Sequence, residues 1–184
     1  MLRLFVALPL PALVRDGLAM IQTGVPKARW VDRDNLHVTL RFVGEVEEHT
    51  GQDVAAALDR VDAPGFDLRL TGVGHFGSDR KPTVLWAGVE RSEALSLLKE
   101  KVDAAVRQAG IPPEGGKFKP HVTLARLPPS TPAGRVGRWL ENNGLFRSPP
   151  LAMTEFTLFA SHLGSERAIH TPLRDYGLET ADLL

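Results

Sequence analysis

The chain predicts an α+β fold of mainly antiparallel strands with an internal duplication, and three observations carry that expectation. Strand-like and helix-like segments alternate, but several neighbours are joined by too few residues for the crossovers that parallel strands need. The tetrapeptide His-Val-Thr-Leu occurs twice, at residues 37–40 and 121–124, nearly half the chain apart. No linker is long enough to separate independent domains, so residues 1–184 are expected to form one domain made of two lobes.

Residues 2–8 read as a strand ending at Pro9. They make a poor secretory leader: one basic residue, an apolar run broken by Pro9 and Pro11, and no small-x-small cleavage site. Pro11 opens a helix to about residue 23, with Leu13, Leu18 and Ile21 on its apolar side, and Gly24 and Pro26 stop it. Residues 35–43 form a strand that Gly44 closes. An alanine-rich helix over about 47–61 ends at the Ala63-Pro64-Gly65 turn. Residues 66–71 alternate strictly, as a half-buried strand should, whereas 83–89 is a more continuous apolar run and reads as a central strand. An exposed polar turn over 77–81 lies between them. Ser92 caps the clearest helix, 93–109, where Leu95, Leu98, Val102 and Val106 recur at helical spacing and Gly110 follows the end. A loop over 111–119, with two prolines, two glycines and two lysines, leads into a strand over 121–126 that Pro128 and Pro129 break. A helix over about 132–142, strands over roughly 151–160 and 167–171, and a short tail element complete the chain.

Composition bounds the function. The chain is 43% apolar and 24% charged, without a low-complexity tract, as globular proteins are. Its formal charge is zero, so no global basic field draws in long nucleic acid, while a local pocket can still hold a small anionic end group. The lack of cysteine excludes thiol nucleophiles, thiolate zinc sites and disulfides. No apolar run approaches the ~20 residues that cross a bilayer. The expectation is a cytoplasmic monomer with no membrane partner.

On a strand, residues i and i+2 share a face. Each copy of the tetrapeptide therefore aims its histidine and threonine together, while Val and Leu turn to an apolar core that holds the strand rigid. If the halves are related by a pseudo-twofold axis, His37 and Thr39 face His121 and Thr123 across one cleft. Imidazole titrates near pH 6.5, so such a pair can hold one neutral base and one protonated acid at neutral pH. Threonine hydroxyls can donate to phosphate oxygens without competing for the proton. That inventory suits an in-line displacement at phosphorus without a metal. No His-Glu-x-x-His pattern and no carboxylate cluster accompanies either motif, so neither a metal ligand set nor a cofactor is expected. A duplicated polar strand face with no chemistry is the alternative, and the repetition argues against it.

The motifs resemble those of the two-histidine (2H) phosphoesterases. Within that group they are most similar to the RNA 2',3'-cyclic phosphodiesterases, also described as 2'-5' RNA ligases. The matching segments are 3–8, 29–31, 35–46, 84–89, 118–126 and the strand around Phe156 to Phe159, in order along nearly the whole chain. The resemblance implies a bilobed α+β fold, two mainly antiparallel sheets flanked by helices around a central groove. It implies opening of a 2',3'-cyclic phosphate at an RNA end, tRNA fragments included, to leave a 2'-phosphate. By the same likeness His121 activates water, His37 protonates the departing 3' oxygen, and Thr39 and Thr123 hold the phosphate oxygens. The residues alone supply the pair and leave open which histidine is acid and which is base. Where relatives often carry a tyrosine in the C-terminal strand, this chain has His170, expected to touch neither motif.

Other residues bear on substrate binding. Arg126 could donate two hydrogen bonds to a phosphate. Strict alternation puts it on the face away from His121, so such a role needs a bulge or a strand end. Arg41 has the parity to share a face with His37 and Thr39. Phe42 holds in the first copy the place of Arg126 in the second and could stack on a base, with core packing as the other reading. Lys117 and Lys119 precede the second histidine, where they could steer RNA ends or simply be solvated. Trp30 and Trp86 read as core. Two further functions stay open: an RNA-end binding module without turnover, and the same chemistry on ADP-ribose cyclic phosphate or a 2'-5'-linked oligonucleotide.

Overall fold

The computed structural model describes residues 1–180; the end of the expected tail element, 181–184, lies outside the described residues. In chain order the elements are β1 (Leu2–Pro9), α1 (Ala12–Ile21), β2 (Arg29–Trp30), a 3-10 turn (Arg33–Asn35), β3 (His37–Val46), α2 (Glu48–Leu58), β4 (Phe66–Leu68) and β5 (Leu70–Gly77). They continue with β6 (Pro82–Val89), α3 (Glu93–Gln108), β7 (His121–Arg126), α4 (Ala133–Asn143), β8 (Leu151–Met153), β9 (Glu155–Leu163) and β10 (Ala168–Gly177). The architecture is α+β, as the short connections require, with two antiparallel sheets. The larger has the order β10-β9-β1-β3-β7-β6-β5, with β2 paired to β7, and the smaller is β4-β8.

The two halves of the large sheet meet at one place. Strands β3 and β7 pair through Val38 opposite Val122 alone. Beyond that point they diverge, and β2 occupies the vacated edge of β7, with Arg29 opposite Arg126 and Trp30 opposite Ala125. Because Val38 and Val122 are equivalent residues of the two tetrapeptides, their antiparallel pairing places a local twofold between the motifs.

The core lies between the sheet and its helices. Val38, Leu40, Val122 and Leu124 are buried on the inner face. Helix α3 packs against β3, and α2 against β1 and α3. Leu98, Val102 and Val106 of α3 are fully buried, each burial stabilising the fold by about 1.5–3 kcal/mol. Ser92 caps α3 as its position predicts, its hydroxyl accepting the Leu95 N–H at 3.0 Å.

Several boundaries differ from expectation. Strand β3 passes through Gly44 to Val46, because the glycine takes φ 91 and absorbs a register shift against β1. The alternating run 66–71 splits at Arg69 into strands of different sheets, and the second continues to Gly77. Strand β10 is longer than its sequence signals, since most of its residues are exposed at the sheet edge and carry no apolar pattern. Among the described residues no helix is long and apolar enough to cross a membrane.

Candidate active site

The Val38–Val122 pair fixes the site. With these valines buried, residues one step away on either strand project to the opposite face, which brings His37, Thr39, His121 and Thr123 onto one side of the sheet. Each imidazole is fixed in the same way. His37 Nδ1 lies 2.6 Å from the Asn35 carbonyl oxygen, and His121 Nδ1 lies 2.6 Å from that of Lys119. A carbonyl can only accept, so Nδ1 carries the proton in both rings and Nε2 is left to exchange one. In the neutral ring His37 Nε2 then accepts the Thr39 hydroxyl, 2.9 Å away. Asn35 is anchored in turn, its side-chain amide donating to the Ala168 carbonyl of β10 at 2.7 Å.

Both motif strands break their alternation at the same place. Leu40 and Arg41 are both buried, as are Leu124 and Ala125. The pairing registers slip at these doublets, between Val6 and Ala7 opposite β3 and between Leu85 and Trp86 opposite β7. A bulge adds one residue and reverses the parity that follows. Arg126 is thereby exposed on the histidine side, near enough to His121 for its charge to lower the proton affinity of that ring. Phe42, 59% exposed, reaches the groove by the equivalent slip.

The same slip corrects the expectation for Arg41. It does not share the face of His37 and Thr39 but is only 2% exposed, on the core side. Its guanidinium donates to the Pro112 and Phe42 carbonyls, and it pairs with Asp103 at 3.3 Å and Glu114 at 3.9 Å. Lys99 joins the cluster, 2.9 Å from Asp103 and 3.1 Å from Glu114. Arg41 thus ties the loop preceding His121 to the strand carrying His37.

Aromatic rings wall the histidines, in positions that no local sequence pattern predicts. The His37 ring centroid lies 4.9 Å from that of Phe5 and 6.3 Å from that of Phe159. His170 does touch the first motif, contrary to expectation: its ring meets His37 edge-on at 5.5 Å. Phe76 meets His121 edge-on at 4.9 Å, and Trp86 lies 6.4 Å away. Trp86 is therefore part of the groove wall and lies across Gly74, where a Cβ would come within 2.2 Å of the indole. Trp30 packs against Trp139, in keeping with a core role. A cavity of about 550 Å³ opens here, lined by Thr39, Phe42, Phe76, His121, Lys117 and Lys119 among others.

Burial sets the electrostatics. Desolvation pushes the His37 pKa down to about 4, with the charges of His170 and His121 acting in the same direction and the Asn35 carbonyl opposing. Desolvation also lowers His121, ahead of the opposing Lys119 carbonyl and the further lowering by Arg126, and it lowers His170. All three rings shed protons more readily than free imidazole. An anion bound between them would reverse that preference, since opposite charge favours the protonated form.

A family model described as the 2'-5' RNA ligase superfamily matches residues 14–162. The chain belongs to that superfamily. Among the curated relatives of this superfamily member, the RNA 2',3'-cyclic phosphodiesterase of Aeropyrum pernix is 37% identical over 117 residues. That match covers 63% of this chain and less than two thirds, 65%, of the relative. The Escherichia coli protein of the same name is 31% identical over 96% of each chain. The crystal structure of Escherichia coli LigT complexed with 3'-AMP superposes with a TM-score of 0.76 and 30% identity, over 96% of this chain and 98% of that one.

Proposed function

We propose that this chain hydrolyses RNA 2',3'-cyclic phosphate ends to 2'-phosphates, with His37 and His121 as the proton-transferring pair. The names of the full-length relatives support the substrate class. The observation that carries the mechanism is the twin geometry of the imidazoles, each with Nδ1 held by a backbone carbonyl, which leaves Nε2 as the nitrogen that exchanges a proton. His121 Nε2 takes a proton from water as the water oxygen bonds to phosphorus. The bond from phosphorus to the 3' oxygen breaks, and His37 Nε2 delivers a proton to that oxygen. The assignment of base and acid follows the family likeness. Thr39, Thr123 and Arg126 hold the phosphate oxygens, and Phe42, exposed beside the cavity, stacks on the terminal base. With a 5'-hydroxyl in place of water, the same groups would join two ends through a 2'-5' linkage. The reading includes a monomeric cytoplasmic enzyme that acts on RNA ends such as tRNA fragments.

Each proton-transfer role is worth about 10²–10⁴-fold in rate. His37→Ala and His121→Ala should each lose at least that much turnover of a 2',3'-cyclic nucleotide while retaining the far-ultraviolet dichroism of the fold. Activity should persist in EDTA. Product analysis by phosphorus NMR checks the outcome: a 2'-phosphate supports the reading, whereas a 3'-phosphate or full activity of either variant refutes it.

A further inference from the structure

Strand β2 adds a second guanidinium to the groove. Arg29 stands directly opposite Arg126 in the β2–β7 pair, and Trp30 opposite Ala125. Directly opposed residues of antiparallel strands project to the same face. Ala125 is buried, and Trp30 packs on Trp139 of α4 on the core side. Arg29 and Arg126 therefore both face the groove, and both are exposed. Among the described residues neither guanidinium has a carboxylate partner or a side-chain hydrogen bond. Like charges set directly opposite one another destabilise a strand pair. Here the short strand β2 holds two of them together, with no carboxylate paired to either among the described residues.

Their order along the groove separates their roles. Arg126 lies near enough to His121 to depress its proton affinity, so it serves the phosphate held at the histidines. Arg29 lies one strand further out, beyond the divergence of β3 from β7. A nucleic acid strand carries one phosphate per nucleotide, so an RNA end whose terminal phosphate occupies the histidine site brings its next phosphodiester outward from there. We infer that Arg29 forms a second phosphate subsite, which binds the phosphodiester joining the terminal nucleotide to its 5' neighbour. The preferred substrate class is then an oligonucleotide end rather than a free cyclic mononucleotide. This inference rests on the reading above that the terminal phosphate sits between His37 and His121.

The test compares binding of a nucleoside 2'-phosphate with that of a dinucleotide ending in a 2'-phosphate, by titration calorimetry at several salt concentrations. In the unaltered protein the dinucleotide should bind more tightly. Arg29→Gln should cut that advantage by about tenfold or more, the size of a lost charge-assisted hydrogen bond. The slope of log affinity against log salt for the dinucleotide should shrink by about 0.7, one phosphate contact on a single strand. Arg29→Lys should keep the slope, because the charge remains. Arg126→Gln should weaken both ligands and leave their ratio in place. Equal binding of the two ligands by the unaltered protein overturns the subsite. So does an Arg29→Gln variant that keeps the advantage or weakens both ligands alike. Failure of the catalytic reading would be separate, showing as absent turnover of cyclic substrate while these product affinities stay measurable.

Discussion

His37 is the residue whose surroundings most constrain the chemistry. Phe5, Phe159 and His170 crowd its ring, and burial brings its pKa down to about 4. In the proposed role of proton donor it must hold a proton that its desolvated setting disfavours, while His121 must be free of one. The fraction of free protein with both in the correct state therefore peaks on the acid side of 6.5. Because kcat/KM reports the free enzyme and kcat the complex, the optimum of kcat/KM should lie below pH 6.5, and that of kcat higher, where the bound phosphate raises both imidazoles. His170 lowers His37 by its own charge. His170→Phe keeps an aromatic edge at that place without the charge, so it should move the kcat/KM profile of the histidine pair to higher pH. An unchanged profile would show that His170 only packs.

At the scale of elements, the paired bulges and the loop over 111–120 decide which side chains reach the groove. Arg41 is the tie between them. Replacing it by methionine keeps the apolar stem but takes the guanidinium from Asp103, Glu114 and the Pro112 carbonyl, leaving Lys99 as the cation beside the two carboxylates. Removing one member of a buried pair costs about 3–5 kcal/mol where the other charge is left alone. Lys99 still pairs with both partly exposed carboxylates, so the expected loss is about 1.5–3 kcal/mol, the range of a hydrogen bond to a charged group, read as a lower urea midpoint. Turnover should fall as well, because the Lys119 carbonyl that fixes the His121 tautomer lies in the freed loop. Asp103→Asn should cost less, since Arg41 keeps Glu114 and two carbonyls.

These elements also mark where the sequence can be read. The tetrapeptides gave the strands β3 and β7 and the shared face of His37, Thr39, His121 and Thr123, because period-two alternation is a local property. Parity beyond the bulges is not local. It depends on slips opposite Val6–Ala7 and Leu85–Trp86, far away in the chain. For that reason local alternation predicts Arg41 in the groove, and Arg126 on the groove side only with a bulge. The apolar doublet Leu124-Ala125, followed by Leu127, does record the phase change in the second copy. In the first copy a buried arginine hides it. The family likeness draws attention to Phe5 and His170, but no local pattern places them beside His37, since those positions follow from the order β10-β9-β1-β3.

For the whole molecule, a sheet whose strands β3 and β7 pair at a single pair of valines brings three half-buried imidazoles to one groove, and this makes stability depend on pH. His37, His121 and His170 all have native pKa values below that of free imidazole. The unfolded chain therefore binds protons that the folded chain refuses once the pH drops below about 6.5. Stability rises with pH wherever the unfolded state holds more protons. The sign is thus fixed: the fold keeps its full stability above about 6.5 and loses it progressively as the pH falls toward 4. For His37 alone, a fall from 6.5 to about 4 corresponds to a loss on the order of 3 kcal/mol at full effect. Thermal unfolding across this range should show a declining midpoint, and His37→Gln should flatten the decline, because glutamine has no proton to gain. Inorganic phosphate should raise the midpoint most at acid pH, where the doubly protonated pair binds it best and ligand binding adds to stability by mass action. The same acid slope in His37→Gln, or a phosphate effect independent of pH, would place the titrating groups elsewhere in the molecule.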